Sequence, residues 1–141
     1  LNITALSAHN SVSVLECWQL SSPFVTSDEP GRVGTQSMSL AQLGNATYDI
    51  IPARYDGGLH SEPRKQFVYF ISGLAHITLP NHTEAWIRGG KHGLIFAEDT
   101  SDVSPWGHGT EYPGQEDTIA ITIPVEDGVV PEHTVLHEGP C

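Results

Sequence analysis

Basic residues are scarce in this chain: six Lys and Arg stand against 17 Asp and Glu in 141 residues, a formal charge of −11. Nucleic acids and anionic membranes both need a basic face, so neither is expected as a partner. The acidic residues are scattered in pairs such as Asp28-Glu29, Glu98-Asp99 and Glu116-Asp117. A solvated acidic surface accounts for them better than an acidic tail. No apolar run approaches the roughly twenty residues of a membrane helix, and a soluble domain is expected. Cysteine is limited to Cys17 and Cys141, too few for a thiolate zinc cluster. A serine nucleophile elbow and a phosphate-binding glycine loop are missing as well.

What the chain does have is punctuation. Fourteen Gly and ten Pro break the sequence into short apolar segments, none with convincing helical periodicity. Strands are expected at Val12–Trp18, Gln36–Leu43, Thr47–Ile51, Phe67–Ile71, Ala75–Leu79, Ala85–Ile87, Leu94–Ala97 and Thr118–Ile123. A loop is expected over Ser21–Gly34, and a terminal arm over Val130–Cys141. Many short strands bounded by turns imply an all-β domain, an antiparallel barrel or sandwich. At 38% hydrophobic content, a chain of this length forms one domain with an ordinary core.

Three sequons, at Asn2, Asn45 and Asn81, point to glycosylation in a secreted protein. The start at Leu1 is read as the end of a removed signal peptide. Cys17 and Cys141 are expected to form one disulfide that ties the tail to the first strand.

Chemistry concentrates in Gly57-Gly58-Leu59-His60-Ser61-Glu62-Pro63-Arg64-Lys65-Gln66, just before the apolar Phe67–Ile71 segment and Gly73. His60, Glu62 and Gln66 stand at even spacings, so an extended strand would turn all three the same way. A second imidazole, His108, follows in Trp106-Gly107-His108-Gly109, read as a glycine-rich loop. Two His with a carboxylate and an amide carbonyl form a divalent-metal ligand set with open positions. Glu62, held extended by Pro63, is a ligand or else the general base. Gln66 ligates through its carbonyl or orients a bound water. Trp106 and Tyr112 flank His108 and either wall a substrate pocket or simply pack. Arg64 either clamps an anionic substrate or lies exposed at a strand edge. Glu98-Asp99 is a candidate to hydrogen-bond the loop carrying His108. His76 and His82 are expected to face solvent, and His9, His133 and His137 lie in terminal segments.

These residues resemble the first motif of the cupins, small β-barrels (jelly rolls) that hold one metal among inward-facing side chains. His60 matches the first histidine of that motif, Glu62 falls on the second histidine, and Gln66 falls on the glutamate. Gln66 and Gly73 also keep the motif's final spacing, so carboxylate and neutral ligand have changed places. The segment Gly93-Leu94-Ile95-Phe96-Ala97-Glu98-Asp99-Thr100 followed by Gly107-His108 is similar to a second cupin motif. Gly89-Gly90-Lys91-His92 fits another form of it; His108 is preferred because Leu94–Ala97 reads as the strand beyond the Gly turn. The resemblance spans roughly residues 46 to 124 and implies a barrel core there, with the N-terminal strands and C-terminal arm packed on it.

The resemblance implies one divalent transition metal (Mn, Fe, Cu, Ni or Zn) and an enzyme acting on a small phenolic or carbohydrate-derived substrate. An oxidoreductase of dioxygenase type is the leading expectation, with isomerase or lyase next. A non-catalytic metal- or sugar-binding module, using Trp86, Trp106 and Tyr112 as stacking surfaces, is the alternative. A structural secreted protein is a third reading, and a homodimer is compatible with all three.

Overall fold

The computed structural model describes residues 1–141 and is almost entirely β-structure, without an α-helix. Seven strands form one sheet in the order β13 (His133–Glu138), β2 (Val12–Leu20), β1 (Asn2–His9), β10 (Leu94–Ala97), β7 (Gln66–Ser72), β12 (Thr118–Pro124), β5 (Thr47–Ile51). Four strands form a second sheet in the order β6 (Tyr55–His60), β11 (His108–Tyr112), β8 (Leu74–Thr78), β9 (Glu84–Arg88). A two-residue pair, β3 (Val25–Thr26) with β4 (Gln36–Ser37), lies in the long loop after β2. No helix is long and apolar enough to cross a membrane.

The larger sheet is mixed, where the sequence suggested only antiparallel pairing. β1 runs parallel to β10, with Thr4 opposite Ile95 and Leu6 opposite Ala97. The two sheets are separate hydrogen-bonded units and are not joined into one continuous ladder.

Between the sheets lies a core of Leu6, Leu15, Phe70, Ile77, Leu79, Ile87, Ile95 and their neighbours. A second cluster, including Ile3, Trp18, Leu20, Phe67, Phe96 and Val125, packs around Met38, Leu40, Ala41 and Val130. Period-two alternation places Phe67 in one cluster and Phe70 in the other. β1 is buried on both faces because it contributes Leu6 to the first core and Ile3 and Ala5 to the second. β1 and β2 are thus integral to the larger sheet. Truncating Trp18, fully buried and stacked on His133, would cost about 3–5 kcal/mol.

Five strands were not foreseen: β1, the two-residue β3, β6, β11 and β13. The glycines of β6 and β11 hid them, since Gly in a strand reads locally as a turn. Gly109 is nonetheless a strand residue, and a Cβ there would come within 2.8 Å of Thr78 Oγ1. His108 therefore opens a strand instead of sitting in a loop. Conversely, the expected strand over Gln36–Leu43 shrinks to Gln36–Ser37 and a single bridge from Leu43 to Val125. Met38 and Leu40 alternate because they pack on the second core cluster, not because the segment pairs in a sheet.

The disulfide between Cys17 and Cys141 is present, and β13 pairs with β2 to bring the tail alongside it. Asn2, Asn45 and Asn81 are all exposed. β5 is an open edge that presents Tyr48 and Ile50, both more than 60% exposed, to solvent.

Candidate metal centre

His60 and His108 stand directly opposite each other in the β6–β11 ladder. Opposed residues of an antiparallel pair project to the same face, and the two imidazoles lie 4.7 Å apart, centroid to centroid. The register shifts between Gly109 and Glu111, leaving one extra residue in β6 at Gly57-Gly58. Gly58 takes the left-handed conformation (φ 63°) such a bulge favours. Gly107 (φ 60°) precedes His108, and a Cβ there would overlap the His60 carbonyl. Only glycine lets the chain enter β11 at this point.

Glu62 arrives by a different route from the one its even spacing implied. β6 belongs to the smaller sheet and β7 to the larger, so the chain crosses between sheets from His60 to Gln66. Glu62 lies in the crossing, bridged to Thr100, with its N–H donating to the Asp99 carbonyl at 3.3 Å. The crossing, and not strand alternation, turns His60, Glu62 and Gln66 toward one space.

One donor atom from each of His60, Glu62 and His108 lies within 4.8 Å of the others, so this group could hold a metal ion. His108 Nε2 is 3.8 Å from Glu62 Oε1. Donor atoms of one tetrahedral or octahedral centre sit roughly 3–3.5 Å apart, given bonds of about 2.0–2.2 Å. A closure of about 1 Å brings these residues to that spacing, and the mixed imidazole–carboxylate set suits a divalent first-row ion.

The hydrogen bonds behind the ligands decide which nitrogens are free. His108 Nδ1 is 2.8 Å from Asp99 Oδ2. A carboxylate only accepts, so Nδ1 carries the proton and the Nε2 lone pair faces the cavity. His60 Nδ1 lies 3.1 Å from the Gly58 carbonyl, which imposes the same tautomer. Asp99 is fully buried, and its Oδ2 also accepts from Ser13 Oγ at 2.6 Å; Ser13 Oγ in turn meets Ser104 Oγ at 2.8 Å. Asp99 Oδ1 has no hydrogen-bond partner.

Gln66 Nε2 donates to Glu62 Oε2 at 2.6 Å. That bond aims the Glu62 carboxylate, a contact the sequence reading did not include, and it leaves the Gln66 carbonyl oxygen uncommitted. Burial holds the Glu62 carboxyl above its ordinary pKa; the His108 ring lowers it, Asp99 raises it, and the Gln66 bond lowers it.

The cluster opens onto a cavity of about 320 Å³ between the sheets, lined by Phe70, Ile95, Tyr112, Asp49 and Thr122 among others. Tyr112 lines it. Trp106 does not; it is 73% exposed outside, because the tight Gly107 turn directs the chain away from the cavity. Arg64 is also exposed and outside the lining, since the crossing segment turns it to solvent while Glu62 and Gln66 face in. His92 lies elsewhere, beside Cys141 and the first residues. His76 points outward from β8, stacked on Trp86 at 3.8 Å and bonded to Glu84.

Asp99 was foreseen, in the pair Glu98-Asp99, as a hydrogen-bond partner of the segment carrying His108, and it bonds the His108 ring itself. Asp49, Ser13, Ser104 and Thr122 escaped the sequence reading. No local motif marks them, because the contacts join residues as far apart as 86 and 91 positions. No protein-family model and no curated protein matches the chain.

Proposed function

We propose that the chain is a cupin-type metal-binding protein of jelly-roll architecture, acting as a metalloenzyme on a small molecule held in the inter-sheet cavity. The observation that carries this reading is the pair of preset tautomers: His60 and His108 both spend Nδ1–H on fixed acceptors, leaving Nε2 free beside Glu62. Such outer-shell partners orient and strengthen imidazole ligands. One divalent ion (Mn, Fe, Cu, Ni or Zn) would supply Lewis-acid polarisation of a bound substrate or, for the redox-active ions, electron transfer.

The chain's own groups do the rest. Gln66 aims Glu62, Asp99 fixes His108, and the apolar lining from Phe70 and Ile95 limits water. Where Glu62 is not engaged as a ligand, its raised pKa suits it to accept a proton as general base. Three protein ligands leave positions free for substrate. The cupin resemblance favours an oxidoreductase of dioxygenase type, then an isomerase or lyase, on a phenolic or carbohydrate-derived compound. A disulfide and three exposed sequon asparagines support an extracellular, glycosylated protein.

The alternative, a sugar-binding module, draws on the outward Trp86 platform, 53% exposed and backed by His76. Elemental analysis of the native protein, with His60→Ala and His108→Ala beside it, tests the leading reading. About one equivalent of a transition metal, lost in both variants, is expected. No retained metal after reconstitution with any of the five ions would overturn it and leave the Trp86 face as the site to pursue.

A further inference from the structure

The cavity's charge restricts what it binds. None of the six basic side chains lines it, whereas Glu62 and Asp49 both do. Lys65 is instead near Glu98, Arg32 near Glu29, and Arg54 hydrogen-bonded to Gln115. Asp49 projects from β5 on the larger sheet, while His60 and His108 belong to the smaller one. Its Oδ2 accepts from Thr122 Oγ1 at 2.8 Å and Thr47 Oγ1 at 3.3 Å. No protein group donates to its Oδ1. The Tyr112 hydroxyl registers this field: burial, then the negative charges of Glu62, Tyr55 and Asp49, push its pKa up to about 12.

A divalent ion at the cluster would be balanced by Glu62 and, through His108, by Asp99. Asp49, half-buried on the cavity wall, would remain without a counter-charge and so free to take a cationic or hydroxyl donor from a ligand. We propose that Asp49 is a recognition residue selecting small ligands with an ammonium or hydroxyl donor, cationic ones first, and that the cavity rejects carboxylates. The inference rests on the proposed function only in taking this cavity as the binding site; it does not require the metal. It also runs against the alternative in which Arg64 clamps an anionic substrate, since Arg64 lies outside the lining.

Tyramine, tyrosol and 4-hydroxyphenylacetate share one body and differ in carrying a cationic, neutral or anionic end. Isothermal titration of each into chelator-treated and Zn-loaded protein, at fixed ionic strength, tests the proposal. Tyramine is expected to bind at least tenfold more tightly than 4-hydroxyphenylacetate, with tyrosol between them, in both forms. Asp49→Asn should collapse the preference to under threefold, whereas Thr122→Val, which keeps the charge, should retain it. Because Asp49→Asn removes one of 17 acidic groups, a general effect of net charge would survive it. An equal or tighter affinity for the anion, a preference unchanged in Asp49→Asn, or no tyramine binding to either form would overturn the inference. A preference seen in protein that never retains metal would uphold the role of Asp49 while sinking the metalloenzyme reading.

Discussion

Replacing Asp99 by Asn tests whether the hydrogen bonds behind His108 set its metal affinity. Asp99 is fully buried, and its Oδ2 serves both His108 Nδ1 and Ser13 Oγ. In Asp99→Asn the amide oxygen can occupy the Oδ2 position and keep both bonds in weaker, neutral form. The amide nitrogen then falls where Oδ1 now has no partner, and a buried donor left unpaired costs about 1–3 kcal/mol. At roughly 2–4 °C per kcal/mol for a domain of this size, the metal-free protein should melt about 2–12 °C lower. Losing an outer-shell carboxylate typically weakens metal binding about 10- to 100-fold, or roughly 1.4–2.7 kcal/mol. Competition with a fluorescent zinc chelator reads the affinity, and melting of the metal-free protein reads the stability. A drop in melting temperature with zinc affinity within threefold of wild type would refute the reasoning, because Asp99 would then support the fold without tuning the ligand.

Four further outcomes follow from the same geometry. The double substitution Cys17→Ser/Cys141→Ser opens a loop with a sequence separation of 124 and should cost roughly 4–5 kcal/mol in the chain-entropy account; a urea-unfolding difference under 1 kcal/mol would contradict it. Glu62 is held above its ordinary pKa of 4.5 by burial, so its contribution to metal-free stability is full below that pH and is lost as pH rises through the folded-state value. Glu62→Gln escapes that loss, so the metal-free variant should melt above wild type at pH 7.5, the gap closing toward pH 4, while its metal affinity falls; a lower melting point at pH 7.5 speaks against it. Gly107→Ala places a Cβ on the His60 carbonyl at a left-handed φ, so about 1–2 kcal/mol from the backbone conformation alone plus the clash should appear in melts, with metal binding lost; wild-type behaviour in both assays would show that the turn can relax. If the chain dimerises through its open β5 edge, light scattering should give twice 15.3 kDa, falling to one copy in Ile50→Lys; a monomeric wild type removes that expectation.

The legible parts of the fold were those written in local pattern. β7, β8, β9, β10 and β12 are short apolar-rich segments between turn formers, and they form where those segments fall. β6 and β11 were obscured because the residues that let two strands approach a shared site are glycines. Gly58, Gly107 and Gly109 read as loop signals, yet each is explained by a bulge or a close contact that exists only after pairing. The parallel partnership of β1 with β10 has no local signature, since it joins segments some ninety residues apart.

The site divides along the same line. His60, Glu62 and His108 were visible because ligand chemistry confines them to a few residue types at short spacings. The even spacing that suggested one strand, however, works for another reason: between His60 and Gln66 the chain leaves one sheet and enters the other. That crossing brings the Gln66 amide against the Glu62 carboxylate. Gln66 sits at the start of β7 in the opposite sheet, within 2.6 Å of Glu62 and able to donate to it. A glutamate there would instead set two carboxylates against each other in a buried space already containing Asp99, raising both pKa values. The neutral amide at Gln66 is therefore coupled to the position of Glu62 in the crossing segment.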